Sequence, residues 1–185
     1  MSSNIFLIGL MGSGKTTVGR KLSNLLGFDF IDIDQALIER TGVTISHIFE
    51  VEGEDGFRDR ESKALKEISE MENVVVSTGG GIVVRSENLE IMRNHGTVVF
   101  LDVPIRVLWN RLKDCQHRPL LQVDEPRKRV AQLIDERTPL YLRAADIHLK
   151  VASDSANRTA KRIQQKLAQI GVSNAARKDQ LGQSV

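Results

Sequence analysis

Several features that would indicate other classes of protein are scarce in this chain of 185 residues. Its single cysteine, Cys115, excludes an internal disulfide and is typical of a protein in a reducing cytoplasm. The four histidines lie far apart in the sequence and, with one cysteine, form no zinc-binding pattern. We therefore expect neither a disulfide scaffold nor a zinc site, and we expect a cytoplasmic protein.

Strong charge and long apolar runs are also missing. The formal net charge of +2 is too small to indicate binding to nucleic acid or to an anionic membrane surface. No apolar run approaches the length of a membrane span, and the start from Met1 to Asn4 is too short for a signal peptide. We expect a protein that contacts neither nucleic acid nor membrane. An apolar content of 41% and a charged content of 27% are ordinary for a globular domain.

The chain contains no internal repeat and no linker rich in proline, glycine or serine. Apolar segments alternate with amphipathic ones, which predicts strands alternating with helices. Because the strands are continuously apolar, we predict an α/β fold in which helices cover both faces of a parallel sheet. We predict one domain over residues 1–171. Residues 172–185 are polar and aperiodic, and we expect a disordered tail there.

The same patterns predict individual elements. The predicted strands cover residues 5–8, 28–33, 74–76, 97–101 and 147–151. The predicted helices cover residues 16–26, 54–69, 86–94, 104–113, 126–143 and 155–170, with a further helix capped by Thr44 and another that begins near Gln35.

The stretch Phe6 to Leu22, "FLIGLMGSGKTTVGRKL", carries the most specific signal in the chain. It contains Gly9-x-x-x-x-Gly14-Lys15-Thr16 between a predicted strand and a predicted helix, which is the context that a P-loop requires. Glycines let successive backbone N–H groups point at phosphate oxygens, and the helix N-terminus adds its positive dipole. Lys15 would reach the β- and γ-phosphates, and the Thr16 hydroxyl would ligate Mg²⁺. The motif predicts binding of a nucleoside triphosphate.

Three classes share this motif: small-molecule kinases, GTPase switches and non-catalytic nucleotide-binding modules. A GTPase would carry an Asn-Lys-x-Asp guanine-binding motif, but no asparagine in this chain is followed by lysine. The other two classes remain to be separated by the rest of the sequence.

Two carboxylates follow the second predicted strand, at the edge of the sheet where ligands bind in such folds. Asp32 and Asp34, in "FIDIDQ", would share one face if the strand extended that far. One carboxylate could hold hydrated Mg²⁺ and the other could take a proton from an acceptor hydroxyl. Alternatively, Asp34 is only the N-cap of the helix from Gln35. Asp102, which ends "VVFLD", is a competing metal-side acid, or a cap for the helix from Pro104.

Arginines and glycines provide candidates for the acceptor site. Arg58 and Arg137 lie on predicted helices, where most arginines are solvated, but arginine is the best donor to an acceptor carboxylate. The triplet Gly79 to Gly81, in "STGGG", lets backbone N–H groups approach a substrate closely. The aperiodic segment of residues 113–124 has the character of a lid, whose Arg118 could close onto the transferring phosphoryl group.

Taken together, six ordered segments resemble the shikimate kinase family: "GLMGSGKTTVGRKLS", "FIDIDQ", "IFEVEGEDGFRDRE", "VVSTGGGIV", "RPLL" and "ERTPLY". The resemblance covers the chain to about Gly171. It implies transfer of the ATP γ-phosphoryl group to the 3-hydroxyl of shikimate, a step towards chorismate and the aromatic amino acids. It also implies a fold of the nucleoside-monophosphate-kinase type, a three-layer P-loop fold with five parallel strands in the order 2-3-1-4-5, a mobile lid at about 113–124 and a substrate-binding helical segment at about 34–61.

The resemblance assigns roles to residues of this chain. Asp34 is the expected base, assisted by Lys15 and by Arg118 of the lid; Asp32 holds Mg²⁺ through water, beside Thr16, with one ion per subunit. The expected nucleotide-binding residues are Gly12, Ser13, Gly14, Lys15, Thr16, Thr17, Arg111, Arg118 and Asp154. The expected substrate-binding residues are Asp34, Arg58, Gly79, Gly80, Gly81 and Arg137. Around Ser153 to Ser155 we expect mainly backbone contacts with adenine.

Two alternatives stay open at the level of the sequence. A non-catalytic nucleotide-binding module would keep Lys15 and Thr16 but have no use for Asp34, Arg58 and Arg137 together. Within kinases, a gluconate-type or nucleotide kinase is the second candidate, and a nucleotide kinase would need a pocket for a base in place of a carboxylate clamp. We expect a monomer.

Overall fold

The computed structural model of the protein describes residues 4–113, 119–121, 123–152 and 154–182, with only the backbone described beyond Gly171. The strands are β1 (Asn4–Ile8), β2 (Asp29–Asp32), β3 (Val74–Ser77), β4 (Gly96–Asp102) and β5 (Ile147–Lys150). The helices are α1 (Lys15–Leu26), α2 (Ile33–Thr41), α3 (Ile45–Ser69), α4 (Ser86–His95), α5 (Ile105–Leu112), α6 (Pro126–Ala144) and α7 (Ala156–Gly182). Two short 3₁₀ turns cover Ile82–Val84 and Pro119–Leu121.

All five strands form one parallel sheet in the order β2-β3-β1-β4-β5. This order confirms the fold implied by the resemblance. The order of the strands reverses between β3, β1 and β4, so the carboxyl end of β1 lies at the switch point where such sheets bind ligands. The loop after β1 is the predicted phosphate loop, and it therefore stands at the favoured position for a ligand.

Apolar side chains of the strands feed two separate cores. In β1, Ile5 and Leu7 pack towards α1, α5 and α7, whereas Phe6 and Ile8 pack towards α2, α3 and α4. Successive side chains of a strand point to opposite faces, so a strand covered on both faces has to be apolar throughout. Helix α6 contributes Val130 and Leu133 to the first core and Tyr141 and Ala144 to the second. The predicted layering of helices on both faces is confirmed.

The start of α2 differs from the prediction. We expected Asp34 to be a possible N-cap, but β2 ends at Asp32, and Asp32 is the cap: its Oδ1 accepts from the Gln35 N–H at 3.3 Å. Asp34 lies in the first turn of the helix. The condition for a shared strand face, that the strand extend to Asp34, is not met, because Asp32 caps the helix and ends the strand. Asp34 therefore does not cap α2.

Helix α3 contains a break close to the predicted boundary between the helix capped by Thr44 and the helix of residues 54–69. Thr44 caps its start as predicted, accepting from the His47 N–H at 3.2 Å. At Gly53 the backbone takes φ 71° and ψ −175°, which interrupts the helix between its first two turns and the long segment after it. That combination of angles is open essentially only to glycine. Across the break, Arg60 Nε and Nη2 donate to the two carboxylate oxygens of Glu52, each at 2.7 Å.

Helix α7 is longer than predicted. It was expected to end at Ile170, and the structure continues it to Gly182, over most of the segment expected to be a disordered tail. The added segment contains alanine, arginine, lysine, glutamine and leucine, which favour helix. Among the described residues, no helix combines the length and the apolar character needed to cross a membrane.

Candidate functional site

A cleft of about 460 Å³ opens at the carboxyl edge of the sheet, over the loop between β1 and α1. It brings together segments that are far apart in sequence: the phosphate loop, the ends of β2 and β3, the end of α5 and the loop before α7. Of the predicted nucleotide-binding residues, the cleft is lined by Gly12, Ser13, Gly14, Lys15, Thr16, Thr17, Arg111 and Asp154.

The phosphate loop owes its shape to glycines at positions that exclude a side chain. Gly9 has φ 140°, and a Cβ there would lie 2.7 Å from the backbone oxygen of Leu101. Gly14, with φ 93°, stands at the start of α1 in the left-handed conformation. The loop therefore curls tightly before the helix and leaves the N-terminus of α1 directed at the cleft. Such an arrangement of N–H groups with a helix dipole is an anion-binding site.

Lys15 is a buried cation of this loop. It is 7% exposed, and its Nζ donates to the carbonyl oxygens of Gly9 at 2.7 Å and Leu10 at 3.1 Å. Both acceptors are neutral carbonyls of the loop itself. A phosphate group in the cleft would offer Nζ a charged acceptor, and charge-assisted hydrogen bonds are about twice as strong as neutral ones.

Three oxygen-bearing side chains meet beside the phosphate loop. Thr16 Oγ1 donates to Asp32 Oδ2 at 2.6 Å and lies 3.3 Å from Ser77 Oγ. Hydroxyl and carboxylate oxygens are the ligands that Mg²⁺ prefers, and the ion commonly keeps several waters and contacts phosphates. The residues present therefore fit a magnesium ion held by Thr16 and, through water, by Asp32. Sequence reasoning did not assign Ser77, although it lies in the quoted "STGGG".

Asp34 stands between this cleft and a second group of residues. Its side chain lines the cleft. On the other side, a Cβ on Gly79 would lie 3.5 Å from Asp34 Oδ1, and the Asp34 charge acts on the buried carboxyl of Glu61. Asp34 thus lies between the cleft and the buried residues Gly79 and Glu61.

The second group is a buried cluster of charges built around two arginines. Arg58 and Arg137 are each 5% exposed, so the expectation that arginines on helices are solvated does not hold for either. Arg58 Nη1 donates to Glu61 Oε2 at 2.7 Å, and its Nη2 donates to Glu54 Oε1 at 2.9 Å. Arg137 acts electrostatically on both Glu61 and Tyr141. Burial raises the pKa of the Glu61 carboxyl, although the Arg58 charge beside it works in the opposite direction.

This cluster contains buried polar atoms that the protein leaves unused. Arg58 Nε, Glu61 Oε1 and Arg137 Nη1 make no hydrogen bond with any of the described residues. Buried polar atoms are almost always satisfied in native proteins, so unsatisfied ones need an explanation. Two guanidinium donors and one carboxyl oxygen together suit a ligand that carries both a carboxylate and hydroxyl groups.

The glycine triplet lies directly beneath this cluster. A Cβ on Gly79 would lie 1.9 Å from Glu61 Oε1, and one on Gly81 would lie 2.1 Å from Arg58 Nη2. A Cβ on Gly80 would lie 3.0 Å from the backbone nitrogen of Met11 in the phosphate loop. We predicted that the glycines allow a substrate to approach. The structure adds that they make room for the protein's own Arg58 and Glu61.

The far end of the cleft has two predicted nucleotide contacts. Arg111, in α5, donates from Nη1 to the Gly12 carbonyl at 2.9 Å. Asp154 gives its carboxylate to arginines of α7: Oδ2 accepts from Arg162, and Oδ1 lies 3.5 Å from Arg158 Nε. Because arginines of α7 bind the Asp154 carboxylate, we expect the loop before α7 to contact adenine through its backbone. Ser153 lies outside the described residues.

Asp102, the competing candidate for the metal-side acid, faces another partner. Its Oδ2 lies 2.8 Å from His148 Nε2, on the neighbouring strand β5. The N-cap of α5 is Pro104, so Asp102 is not that cap. Arg118, with most of the segment 113–119 around it, lies outside the described residues, and its expected place in a lid stays a prediction.

Comparison with known proteins agrees with this geometry. The model of the family described as shikimate kinase matches residues 11–168. The chain belongs to the shikimate kinase family.

Relatives support the assignment over nearly the whole chain. A shikimate kinase of Halorhodospira halophila is 47% identical over 161 residues, covering 87% of this chain and 91% of that one. One of Nitrosospira multiformis is 45% identical over 168 residues, with coverages of 91% and 84%. The solved structure of the Acinetobacter baumannii shikimate kinase in complex with shikimate is similar with a TM-score of 0.89 and 40% identity, over 91% of this chain and 94% of that one.

Sequence reasoning missed the residues that surround the two arginines in this shikimate kinase fold. Glu61 follows Arg58 by one helical turn in "FRDRE", and Tyr141 follows Arg137 by one turn in "RTPLY". Residues three or four apart share one face of a helix, so this spacing was the available signal. It could not be read with confidence from a sequence alone, because the same spacing is common on solvated helices.

Proposed function

We propose that this protein catalyses the ATP-dependent phosphorylation of the 3-hydroxyl of shikimate, and that Asp34, Arg58 and Arg137 hold and activate the acceptor. Family membership supports the reaction. The observation that carries the assignment of these residues is the buried cluster beyond Asp34. There two nearly inaccessible guanidinium groups and a carboxyl group have polar atoms without a hydrogen-bond partner among the described residues.

The acceptor is held by its carboxylate. Arg137 Nη1 and Arg58 Nε are donors that make no hydrogen bond within the described residues, and a carboxylate would satisfy them with charge-assisted bonds. Glu61 keeps Arg58 in place at 2.7 Å, and its unused Oε1 is an acceptor for a hydroxyl of the same ligand. A nucleoside monophosphate offers no carboxylate, so it would leave these donors unsatisfied.

Asp34 then acts as the base. It is the carboxylate that lines the nucleotide cleft and also lies at Gly79 and Glu61, so an acceptor hydroxyl near it faces the triphosphate. In the transfer, the hydroxyl oxygen forms a bond to the γ-phosphorus while the bond from that phosphorus to the β,γ-bridging oxygen breaks, with ADP as the leaving group. Asp34 takes the hydroxyl proton. Phosphoryl transfer is mainly positioning and charge stabilisation, which this arrangement provides.

The charge on the moving group is balanced from the nucleotide side. Lys15 exchanges its two carbonyl acceptors for phosphate oxygens, at the N-terminus of α1. Mg²⁺, held by Thr16 and through water by Asp32, would neutralise charge on the phosphates when bound. We further propose that Arg118 closes onto the phosphoryl group from the lid and that Arg111 contacts the adenine side, beside Gly12.

We also propose that the protein acts as a cytoplasmic monomer that uses neither nucleic acid nor membrane as a partner. The support is the low net charge of +2 and the single cysteine.

The decisive experiment is a coupled assay of ADP release with shikimate, with gluconate and with nucleoside monophosphates as acceptors. We expect shikimate alone to stimulate turnover, with formation of shikimate 3-phosphate confirmed by mass spectrometry. Stimulation by gluconate or by a nucleoside monophosphate and not by shikimate would overturn the proposal. ATP hydrolysis that no acceptor stimulates would favour a nucleotide-binding module with residual hydrolysis.

A further inference from the structure

Tyr141 connects helix α6 to the glycine triplet. Its side chain is 1% exposed, and its ring stacks on Phe100, with centroids 4.9 Å apart and an angle of 25° between the planes. Its hydroxyl donates to the backbone carbonyl of Gly80. Arg137, one of the two proposed carboxylate ligands, lies one turn earlier on the same helix.

The direction of this hydrogen bond is fixed by chemistry. A carbonyl oxygen only accepts, so the tyrosine has to donate. Burial raises the pKa of the Tyr141 phenol well above its usual range, although the charge of Arg137 and a hydrogen bond from its side chain work in the opposite direction. The phenol is therefore protonated at every pH at which the enzyme would be assayed, and the donor is permanent.

The hydrogen bond from Tyr141 restrains the backbone of Gly80. Glycine has the widest backbone freedom of any residue, and the triplet carries no side chain that could pack it in place. Thr78 is held by bonds from its N–H and its hydroxyl to the Leu7 carbonyl, at 3.2 and 2.9 Å. Beyond it, the Gly80 carbonyl is fixed by Tyr141. Because a trans peptide is planar, fixing that carbonyl also fixes the Gly81 N–H in the opposite direction.

Helix α6 also needs a restraint at this point. Pro139 lies inside the helix, between Arg137 and Tyr141. Proline has no N–H, so the helical hydrogen bond from position 139 back to the Asp135 carbonyl is missing. The turn that carries Arg137 is therefore held less firmly by its own backbone than an uninterrupted helix would hold it. The bond from Tyr141 to Gly80 ties this turn to the sheet edge.

We propose that Tyr141 is a positioning residue for the acceptor: its hydroxyl sets the distance between Arg137 on α6 and the glycine triplet that lies under Arg58 and Glu61. The inference rests on the proposed function, because it assigns Arg137 to the acceptor carboxylate. In this role Tyr141 acts through Arg137 and the Gly80 carbonyl and not on the reacting atoms. The simpler alternative is that Tyr141 only fills the core beside Phe100.

The test is Tyr141→Phe, which keeps the ring and its stacking and removes the hydroxyl, with its bond to the Gly80 carbonyl and its hydrogen bond with the Arg137 side chain. We expect the KM for shikimate to rise at least about two- to tenfold, the range of one hydrogen bond, while the KM for ATP stays within twofold. The matched control is Phe100→Leu, which disturbs the same stack and keeps the hydroxyl. It should lower the Tm more than Tyr141→Phe does and leave the ratio of the two KM values near that of the parent.

A double-mutant cycle separates positioning from packing. If Tyr141 acts through Arg137, the effects of Tyr141→Phe and Arg137→Lys on the KM for shikimate should be non-additive. An unchanged KM for shikimate in Tyr141→Phe, an equal rise in both KM values, or additive effects in the cycle would overturn the inference. Failure of the parent enzyme to phosphorylate shikimate would instead overturn the proposed function, so the two failures are distinguishable.

Discussion

Arg58 and Arg137 are buried to the same degree, but their surroundings predict different responses to truncation. Arg137→Ala removes the proposed donor to the acceptor carboxylate, worth about 1.5–3 kcal/mol, and should raise the KM for shikimate roughly 10- to 150-fold. Arg58→Ala should raise it similarly and should also lower the Tm, because it takes the partner at 2.7 Å away from buried Glu61. Breaking a buried ion pair costs about 3–5 kcal/mol. The measurement is steady-state kinetics for both substrates together with thermal melting.

Arg60→Ala is the control for this pair. Arg60 lies on the same helix as Arg58, but it is bound to Glu52 at the surface, 43% exposed. Its loss should leave both KM values near those of the parent. A rise in the KM for ATP equal to that for shikimate in Arg137→Ala would move Arg137 to the nucleotide side of the site.

Asp34 provides a second test at the scale of the residue. Asp34→Asn keeps the size of the side chain but cannot accept a proton, and loss of a positioned base costs about 10²–10⁴ in rate. The fold should survive, because Asp32 and not Asp34 caps α2. ADP affinity should stay near normal. Turnover, melting and ADP binding on one preparation check the three expectations.

The matched change at an exposed carboxylate is Asp29→Asn, at the start of the same strand β2. It should keep full activity. Turnover of Asp34→Asn within a few-fold of the parent would remove Asp34 from the catalytic group, and the acceptor proton would then leave by another route.

At the scale of residues, part of the site could be predicted from the sequence. The phosphate loop was predictable because its glycine spacing, lysine and threonine serve one chemistry in one structural context. Burial of Arg58 and Arg137 was not predictable, since helix position alone does not tell a solvated guanidinium from one held by Glu61. Asp34 was ambiguous between cap and base because one residue of register decides which carboxylate ends the strand.

Among the elements, the break in α3 makes a prediction of its own. Gly53→Ala places a Cβ at φ 71° and ψ −175°, and strain of this kind costs about 1–3 kcal/mol. No atom lies within 4 Å of that Cβ, so the cost comes from the backbone and not from a clash. We expect a lower Tm and a higher KM for shikimate, because the break at Gly53 comes just before the helical turn that carries Arg58.

Gly171→Ala is the control for this substitution. Gly171 lies in helix α7, and nothing lies within 4 Å of its Cβ position. Alanine in a helix is favoured over glycine by about 1 kcal/mol, so this variant should be as stable as the parent or slightly more stable. If Gly53→Ala melts like the parent, the backbone at Gly53 is not strained by a side chain, and the prediction is wrong.

Helix α5 carries a natural reporter of the nucleotide site. Trp109, the only tryptophan in the sequence, is half-buried and packs on the core two residues before Arg111. Arg111 donates to Gly12 of the phosphate loop at 2.9 Å. We expect a change in tryptophan emission when ADP or ATP is added with Mg²⁺, measured by equilibrium titration. Lys15→Ala should shift the titration to higher concentration, and an emission that never responds would separate Trp109 from the nucleotide site.

Element types were more predictable than element ends. Strands such as β1 and β4 were recognised because both faces are buried, which demands continuous apolar sequence. The second strand was predicted too long, because the apolar Ile33 that follows Asp32 belongs to the core face of α2. The strand order came from the resemblance, since local pattern holds no information on which strands are neighbours.

For the molecule as a whole, each ligand that binds the native state should raise its free energy of unfolding, so ADP and shikimate should shift the Tm in separate steps. A ligand at 100 times its Kd stabilises the native state by about 2.7 kcal/mol, and for a chain of this size each kcal/mol shifts the Tm by about 2–4 °C. We therefore expect saturating ADP with Mg²⁺ to raise the Tm by roughly 5–10 °C. Shikimate should add a further shift in the parent and little in Arg137→Ala, measured by scanning calorimetry. A shikimate shift that survives in Arg137→Ala would place the acceptor elsewhere.

The contact between Glu61 and Gly79 has a consequence for how this enzyme can change by mutation. Alanine at position 79 requires Glu61 Oε1, 1.9 Å from the new carbon, to move, which disturbs the carboxylate whose Oε2 accepts from Arg58 at 2.7 Å. A shorter residue at position 61 would clear that space but would remove the partner of Arg58 at 2.7 Å and leave it Glu54 at 2.9 Å. The effects of substitutions at positions 61 and 79 should therefore be non-additive. A genetic selection that begins from a damaged position 79 should recover suppressors at position 61 ahead of changes at the phosphate loop.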